Sequence, residues 1–403
     1  GPPAGPPPLP PPPPGRGRGA MVLVPEISLT AQAVAQFHSV FGDAVAVLHS
    51  GLSLGERMDE WKRIRRGEAR VVVGTRSAVF APVENLGLIV IDEEQEPAYK
   101  SESSPRYDAR EVARWRCMKG HGLCLLASAT PSVEASFLAQ QGKYSFFQLG
   151  QRFGPARIPQ VELVDMNEEA QPGAAIGPTL AQALQGNFQV GRQSIVLLNR
   201  RGYHTFASCP ACREVIRCPH CSISMTFHSA NHRLLCHYCG YSIPMPEKCP
   251  TCGGSGLHYR GSGTQRAEEQ LQGLLPQARI LRLDTDAVAA RYALEQRLEA
   301  FSKGEYDVMV GTQMVAKGLD FENVTLVGVL SADQSLYSDD FRSSERTFDL
   351  LTQVVGRAGR GKYPGRAVIQ TNMPENPVLH LARDQDYFEF LRRELAYRKA
   401  LLY

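Results

Sequence analysis

The segment Trp61-Lys-Arg-Ile-Arg-Arg-Gly-Glu-Ala-Arg-Val-Val-Val-Gly-Thr75 returns in pattern as Leu298-Glu-Ala-Phe-Ser-Lys-Gly-Glu-Tyr-Asp-Val-Met-Val-Gly-Thr312. Each copy reads as an amphipathic helix, a Gly-Glu turn and a short apolar run that closes on Gly-Thr, so the spacing predicts the same helix-turn-strand unit twice. Around the first copy, apolar runs at 21–24, 45–48, 71–73, 88–91 and 123–127 alternate with helical patterns. Around the second, runs at 194–198, 279–283, 307–310, 325–330 and 367–370 do the same, after a Pro/Gly-rich passage near 154–178. Such alternation predicts an α/β chain with two parallel-sheet lobes and crossover helices. Loops leaving the carboxyl ends of parallel strands are where such sheets bind ligands, which places both Gly-Thr turns at binding edges.

The chain has 403 residues, enough for several domains. Residues 1–20 hold only Gly, Pro, Ala, Leu and Arg. That mixture buries too little apolar surface to offset ordering entropy, and it reads as a disordered Pro/Gly-rich tract, with Met21 a candidate natural start. The expected organisation is a first lobe over 21–150, a linker over 151–177 and a second lobe over 178–403, with 204–258 inserted as a metal-binding module. With 44 basic and 41 acidic residues the net charge is only +3, so any affinity for nucleic acid must come from local placement. No apolar run reaches transmembrane length and no signal-peptide order opens the chain; the expectation is a soluble cytosolic protein without membrane contact.

Eight of the ten cysteines form four Cys-x-x-Cys pairs: Cys209 and Cys212, Cys218 and Cys221, Cys236 and Cys239, Cys249 and Cys252. In a reducing compartment this pattern means metal, and eight thiolates complete two closed tetrahedral zinc sites of the structural kind. Five residues between the first two pairs make a tight return, whereas fourteen between 221 and 236 make an ordinary ribbon loop. The spacing therefore favours a nested arrangement, 218/221 with 236/239 inside 209/212 with 249/252, and leaves a crossed one open. Histidines 204, 220, 228, 232, 237 and 258 crowd the region but are not needed as ligands. Cys117 and Cys124 read as small buried residues.

Three further motifs follow in order. Leu86-Gly-Leu-Ile-Val-Ile-Asp-Glu-Glu-Gln95 is an apolar strand ending in acids, suited to hold one carboxylate toward Mg²⁺ and the next toward an attacking water. Leu126-Ala-Ser-Ala-Thr-Pro131 follows the next strand. Gln353-Val-Val-Gly-Arg-Ala-Gly-Arg-Gly361 ends a helix, and Arg357 and Arg360, three apart, are expected to point the same way toward an anionic group.

Together with Val22-Leu-Val-Pro-Glu-Ile-Ser-Leu-Thr30, Val73-Gly-Thr-Arg-Ser-Ala-Val-Phe80, Val310-Gly-Thr-Gln-Met-Val-Ala-Lys-Gly318 and the cysteine array, these motifs make residues 21–403 resemble the PriA family of primosomal replication-restart helicases, in superfamily 2. The resemblance implies two RecA-like lobes, a zinc module with nested pairing in the second, and ATP-dependent unwinding of DNA at stalled forks. It implies ATP, Mg²⁺ and two structural Zn²⁺ as cofactors. It assigns Asp92 and Glu93 to Mg²⁺ and water, Ser128 and Thr130 to relaying the nucleotide state, and Arg357 and Arg360 to arginine fingers. Asp92, Gln353, Arg357 and Arg360 would hold the nucleotide. Thr30, Thr75, Arg76, Thr312 and Lys317 would touch the DNA backbone, and the loop with Tyr99, Lys100, Arg106 and Tyr107 would sense single-stranded DNA by stacking and charge. Single-stranded and forked DNA, the single-stranded DNA-binding protein and other primosome and replication-restart proteins are the implied partners. The implied location is the bacterial cytoplasm at the nucleoid.

The sequence departs from the family at Gln95 and Leu319, where His is usual; weaker coupling of nucleotide to DNA is expected there. No Gly-x-x-x-x-Gly-Lys-Thr/Ser phosphate loop occurs in the 403 residues. The chain thus reads as a fragment that also lacks the family's amino-terminal DNA-binding region and carboxyl-terminal domain. The alternative kept open is a non-catalytic zinc-containing DNA-binding or primosome scaffold, and no ATP turnover is expected of these residues alone.

Overall fold

The computed structural model describes the chain except residues 1–16, 26–30, 151–158, 170–173, 200–204, 210, 213, 221–223, 229–231, 237–238, 256, 261–263, 284–290, 313–320, 338–339 and 403. It divides into two compact units, one of Gly1–Gln151, Lys317–Leu319 and Leu395–Tyr403, the other of Arg152–Ala316 and Asp320–Glu394.

In the first unit the elements run β1 (Gly19–Leu23), α1 (Ala31–Phe41), β2 (Val45–Leu48), α2 (Leu54–Arg65), β3 (Val71–Gly74), β4 (Leu86–Ile91), α3 (Ala109–Lys119), β5 (Leu123–Leu126) and α4 (Val133–Gln140). The strands form a parallel sheet in the order β2-β3-β1-β4-β5. Helices cover both faces, so the central strands can be Val- and Ile-rich throughout, and Met21, Leu23, Ile89 and Ile91 are fully buried. At the sheet's edge, β5 leaves Leu125 43% exposed.

The second unit opens with β6 (Gln160–Asp165), α5 (Met166–Glu169), α6 (Pro178–Gln189) and β7 (Gln193–Leu198). A small antiparallel module follows, of β8 (Thr205–Ser208), β9 (Thr226–His228), β10 (Arg233–Leu235), β11 (Ser242–Pro244) and β12 (His258–Arg260), in the order β11-β10-β9-β8-β12. The chain then continues with α7 (Thr264–Leu274), β13 (Ile280–Leu283), α8 (Arg291–Ser302), β14 (Val308–Gly311), β15 (Val324–Leu330), α9 (Ser343–Val355), β16 (Arg366–Thr371), α10 (Pro377–Asp384) and α11 (Tyr387–Ala400). A parallel sheet in the order β13-β14-β7-β15-β16-β6 results, with every residue of β7 and β15 buried. The module thus interrupts the second lobe between β7 and α7.

The repeated segment folds alike in both lobes. After α2 and after α8 the chain turns on a glycine in the left-handed region, Gly67 at φ +73 and Gly304 at φ +79. Gly67 N–H donates to Ile64 O and Gly304 N–H to Phe301 O, each at 3.0 Å. Glu68 N–H reaches back to Arg63 O and Glu305 N–H to Ala300 O, so each helix end is closed by its Gly-Glu pair. Ile64 and Phe301, at matching positions, are buried under the sheet.

Two boundaries differ from expectation. Gly19 and Ala20, placed in a disordered tract, begin β1 and donate to Asn85 O (2.7 Å) and Arg70 O (2.8 Å). Composition weighs side chains, whereas a central strand position is held by backbone pairing on both sides. Residues 1–16 lie outside the described residues. The expected linker supplies β6, paired with β16 from Gln160↔Arg366 to Asp165↔Thr371, an edge strand hidden in sequence by its Pro/Gly-rich flanks.

Candidate functional site

The cysteines gather as the nested spacing favours. Cys209, Cys212, Cys249 and Cys252 form one cluster, and Cys218, Cys236 and Cys239 another, with the sulfurs of each within 4.8 Å of one another. Cys221 lies outside the described residues. The Sγ pairs Cys209–Cys252, Cys212–Cys249 and Cys218–Cys239 are each 3.6 Å apart. A disulfide needs about 2 Å. Four thiolates at about 2.3 Å from a tetrahedral zinc stand about 3.8 Å apart, so the donor sets fit zinc.

Turn geometry produces the clusters. After Cys236-x-x-Cys239 and after Cys249-x-x-Cys252 the chain turns on Gly240 (φ +77) and Gly253 (φ +73), whose N–H groups donate to Cys236 O and Cys249 O, both at 2.9 Å. Both knuckles aim two sulfurs at one point. Between them the module has only a small apolar core, including Met225, Phe227 and Leu234, and a metal would contribute much of its stability. Of the histidines, His220 packs edge-on to Tyr241 and His232 edge-on to Phe227, and neither joins a cluster.

In the first lobe, β4 ends at Ile91 and Asp92 N–H donates to Leu23 O at 2.9 Å. Glu93 sits at φ +48, a conformation that L residues seldom adopt, and its N–H donates to Asp92 Oδ1. This turn brings two carboxylates together. Desolvation by the surrounding protein raises the Asp92 pKa, the Glu93 charge raises it further, and the Glu93 N–H pulls it down. A divalent cation would relieve that repulsion.

A continuous hydrogen-bond chain leads away from the acids. Gln95 Nε2 donates to Glu93 Oε2 (2.8 Å), Ser128 Oγ donates to Gln95 Oε1 (2.6 Å), and Thr130 N–H donates to Ser128 Oγ (2.9 Å). Gln95 links the acidic turn to the Ser-Ala-Thr motif: its amide both donates and accepts, as an imidazole can. Thr130 is fully buried with no partner for Oγ1 among the described residues. Beneath the chain Glu94, 2% exposed, accepts from Ser132 N–H (2.6 Å) and Ser132 Oγ (3.1 Å), a tie that sequence reasoning missed.

The expected DNA contacts divide. Tyr99 is a correction: it is 1% exposed, and its hydroxyl lies 3.0 Å from Leu23 O and 2.6 Å from Asp92 O. It braces the acidic turn from within the core and cannot stack on a base. Thr75 is nearly buried as well. Arg76 donates to Ala98 O and Lys100 O and lies over the Tyr107 ring, which meets Phe80 edge-on at 4.8 Å. Phe80, to which the sequence reading gives no role, is 47% exposed. Arg76, Phe80 and Tyr107 therefore form a cationic-aromatic cluster, with the exposed Lys100 joined to it through its backbone carbonyl. Thr312 is half-buried at the end of β14, and Thr30, Lys317 and Leu319 lie outside the described residues.

In the second lobe, Gln353 is on the last turn of α9, while Arg357 and Arg360 lie beyond the helix. The two differ in burial: Arg357 is 8% exposed, whereas Arg360 is exposed and its Nε donates to Gly356 O. Gly359 intervenes at φ +74, where a Cβ would come 2.4 Å from Gly365 N, so the turn cannot continue as helix.

Family models match three parts of the chain: the PriA DNA helicase Cys-rich region at 218–244, DEAD/DEAH box helicase at 13–137 and the helicase conserved C-terminal domain at 263–362. The replication restart protein PriA of Bacillus subtilis is 50% identical over 390 residues, covering 96% of this chain and 48% of that protein. That of Chlamydia pneumoniae is 42% identical, covering 96% and 53%. The chain thus spans about half the length of the curated relatives it matches. Among solved structures, RecG bound to a three-way DNA junction matches with TM-score 0.52 at 16% identity, covering 94% of this chain and 40% of that one. The DUF1998 helicase MrfA bound to DNA matches with TM-score 0.50 at 12% identity, covering 92% and 42%. At these identities the two likenesses concern the fold alone.

Proposed function

The chain belongs to the PriA family of superfamily 2 helicases, and from that premise we propose that in the whole protein its two lobes drive ATP-dependent translocation on DNA and unwinding at stalled replication forks. The observation that carries the motor reading is the unbroken chain Asp92, Glu93, Gln95, Ser128, Thr130 at the carboxyl edge of the first sheet. Asp92 would hold Mg²⁺ and Glu93 would orient a water. When bound, Mg²⁺ and ATP supply the phosphoryl group and neutralise its charge. Gln95 and Ser128 pass any displacement of Glu93 to the Thr130 loop. Gln353, Arg357 and Arg360 would serve the nucleotide from the second lobe, with Arg360 the more accessible finger.

The Cys-rich module binds zinc, and we assign it two structural ions, one per cluster. Arg76, Phe80, Lys100 and Tyr107 would receive single-stranded DNA, with Thr312 and Lys317 as further backbone contacts. Forked DNA, the single-stranded DNA-binding protein and other restart proteins are the partners this reading expects, in the bacterial cytoplasm.

The test is DNA-stimulated phosphate release by the full-length protein. Glu93→Gln should lower it by about 100-fold or more while leaving single-strand affinity unchanged. Gln95→Ala should keep basal hydrolysis and lose most of its stimulation by DNA. A full-length protein without DNA-stimulated hydrolysis, or with hydrolysis indifferent to Glu93→Gln, would sink the motor reading in favour of a zinc-containing scaffold.

A further inference from the structure

Arg398, in the last turn of α11, is 6% exposed, although a guanidinium keeps its charge at every ordinary pH. Leu395–Tyr403 belongs to the first unit, and there the Arg398 Nη1 lies 3.4 Å from Glu134 Oε1, across 264 residues of sequence. Glu134 is the more accessible member, with 48% of its side chain exposed against 8% for Arg398. Taking a guanidinium out of water is costly unless a carboxylate meets it, so a buried contact of this kind persists only where the fold holds both partners. The chemistry assigned above uses neither residue.

Glu134 stands close to the motor's acidic turn. It lies in the first turn of α4, whose cap, Ser132, accepts from Ala135 N–H at 3.2 Å. The N–H groups at that end of a helix favour a carboxylate. Ser132 is also gripped by Glu94, through N–H at 2.6 Å and Oγ at 3.1 Å. Upstream, Ser128 is tied to Gln95, and Thr130, between the two ties, is fully buried. Arg110, the cation beside Glu94, is engaged by other groups: it forks the Asp108 carboxylate, and its Nη1 donates to Glu94 O at 2.8 Å. Residues 128–134 are therefore fixed at Ser128 by Gln95, at Ser132 by Glu94 and at Glu134 by Arg398. The first two ties come from the acidic turn, and the third comes from α11.

We infer that Arg398 is a positioning residue for ATP hydrolysis, holding the start of α4 so that the loop 128–130 meets Glu93 and Gln95 in register. It acts through Glu134, not on nucleotide or DNA directly. The inference rests on the motor reading. With all three ties in place the loop keeps its position against Gln95, and a displacement of Glu93 passes to Thr130. Without the tie from α11, the same displacement is absorbed by movement of α4. The loss therefore falls on turnover and not on ATP affinity. A purely structural ion pair would respond differently, lowering stability and leaving turnover alone.

The test uses the full-length protein and three variants, Arg398→Ala, Arg398→Lys and Glu134→Gln, the last of which removes a charge at a half-exposed position without leaving a cavity. DNA-stimulated phosphate release is measured against ATP concentration, and amide hydrogen exchange is measured without ATP. Expected are a DNA-stimulated kcat about fivefold lower in Arg398→Ala and Glu134→Gln, a KM for ATP within about twofold of the parent, and recovery of about half the turnover or more in Arg398→Lys. Exchange at the amides of Thr130, Ser132 and Ser136 should quicken about tenfold in Arg398→Ala and Glu134→Gln while that of β4 stays as in the parent. Unchanged exchange at those three amides overturns the inference, and so does quickened exchange with kcat intact, the outcome of a merely structural pair. A parent protein without DNA-stimulated hydrolysis removes the motor reading and this role with it, whereas the exchange data still report whether Arg398 holds the loop.

Discussion

Glu94→Ala should be among the most damaging single changes in the first lobe, although Glu94 is not among the residues assigned to chemistry. Its carboxylate is 2% exposed and holds Ser132, 7% exposed, through N–H at 2.6 Å and Oγ at 3.1 Å. Ser132 in turn caps α4 by accepting from Ala135 N–H at 3.2 Å. Removing the carboxylate deletes two hydrogen bonds to a charged acceptor and leaves a buried N–H unpaired. Each lost bond is worth roughly 1.5–3 kcal/mol, partly offset because a buried charge is also removed, for a net loss of about 3 kcal/mol. Glu94→Gln keeps one oxygen for the Ser132 N–H and should cost about 1 kcal/mol. The assay is urea unfolding followed by tryptophan fluorescence. Both tryptophans, Trp61 and Trp115, lie in the first unit, so the signal reports that unit alone. A cycle with Ser132→Ala should return a coupling above about 1 kcal/mol. A loss under about 1 kcal/mol for Glu94→Ala, or equal costs for the alanine and glutamine variants, would refute the clamp.

Three other outcomes are expected. Tyr99→Phe should cost about 1 kcal/mol in the same fluorescence assay and leave single-strand affinity unchanged, whereas Tyr107→Ala should weaken binding of oligo-dT by about fivefold or more at low salt; a reversed pattern would return Tyr99 to the interface. Partial desolvation pushes the Asp108 carboxyl up, but the guanidinium and backbone N–H of Arg110 outweigh it and hold the pKa below its ordinary value. The folded state therefore binds fewer protons there, and the contribution is full above about pH 4 and lost as pH falls through the depressed value. The stability gap between parent and Asp108→Asn, followed by thermal melts, should narrow on acidification below about pH 4 and not widen. Elemental analysis should give two zinc ions per chain, and in zinc-retention cycles Cys218→Ser should couple with Cys236→Ser and Cys209→Ser with Cys249→Ser; coupling of Cys209 to Cys236 would establish the crossed arrangement.

What the sequence by itself determined is whatever depends on period and short spacing. Alternating apolar runs and helical stretches dictate parallel sheets, because only strands buried on both faces tolerate runs such as those of β7 and β15. The Gly-Glu turns of the repeat were legible because a glycine and its helix end are local. The cysteine clusters were legible because each Cys-x-x-Cys pair is a turn, and because loop length limits which pairs can meet. The tertiary structure alone decided which polar side chains meet across the sheet. Tyr99 reads as a surface aromatic until strand order sets Leu23 and Asp92 around its hydroxyl. The partner of Gln95 cannot be read from its own stretch until β5, paired beside β4, delivers Ser128 to its amide. Arg357 and Arg360 are three apart, but both lie beyond the end of α9 at Val355, on a turn where Gly359 takes φ +74 against Gly365, and the fold leaves one buried and the other exposed. In each case the deciding partner lies several to some seventy residues away in sequence, and a hydrogen bond or a steric limit acts only when the fold has brought the two within about 3 Å.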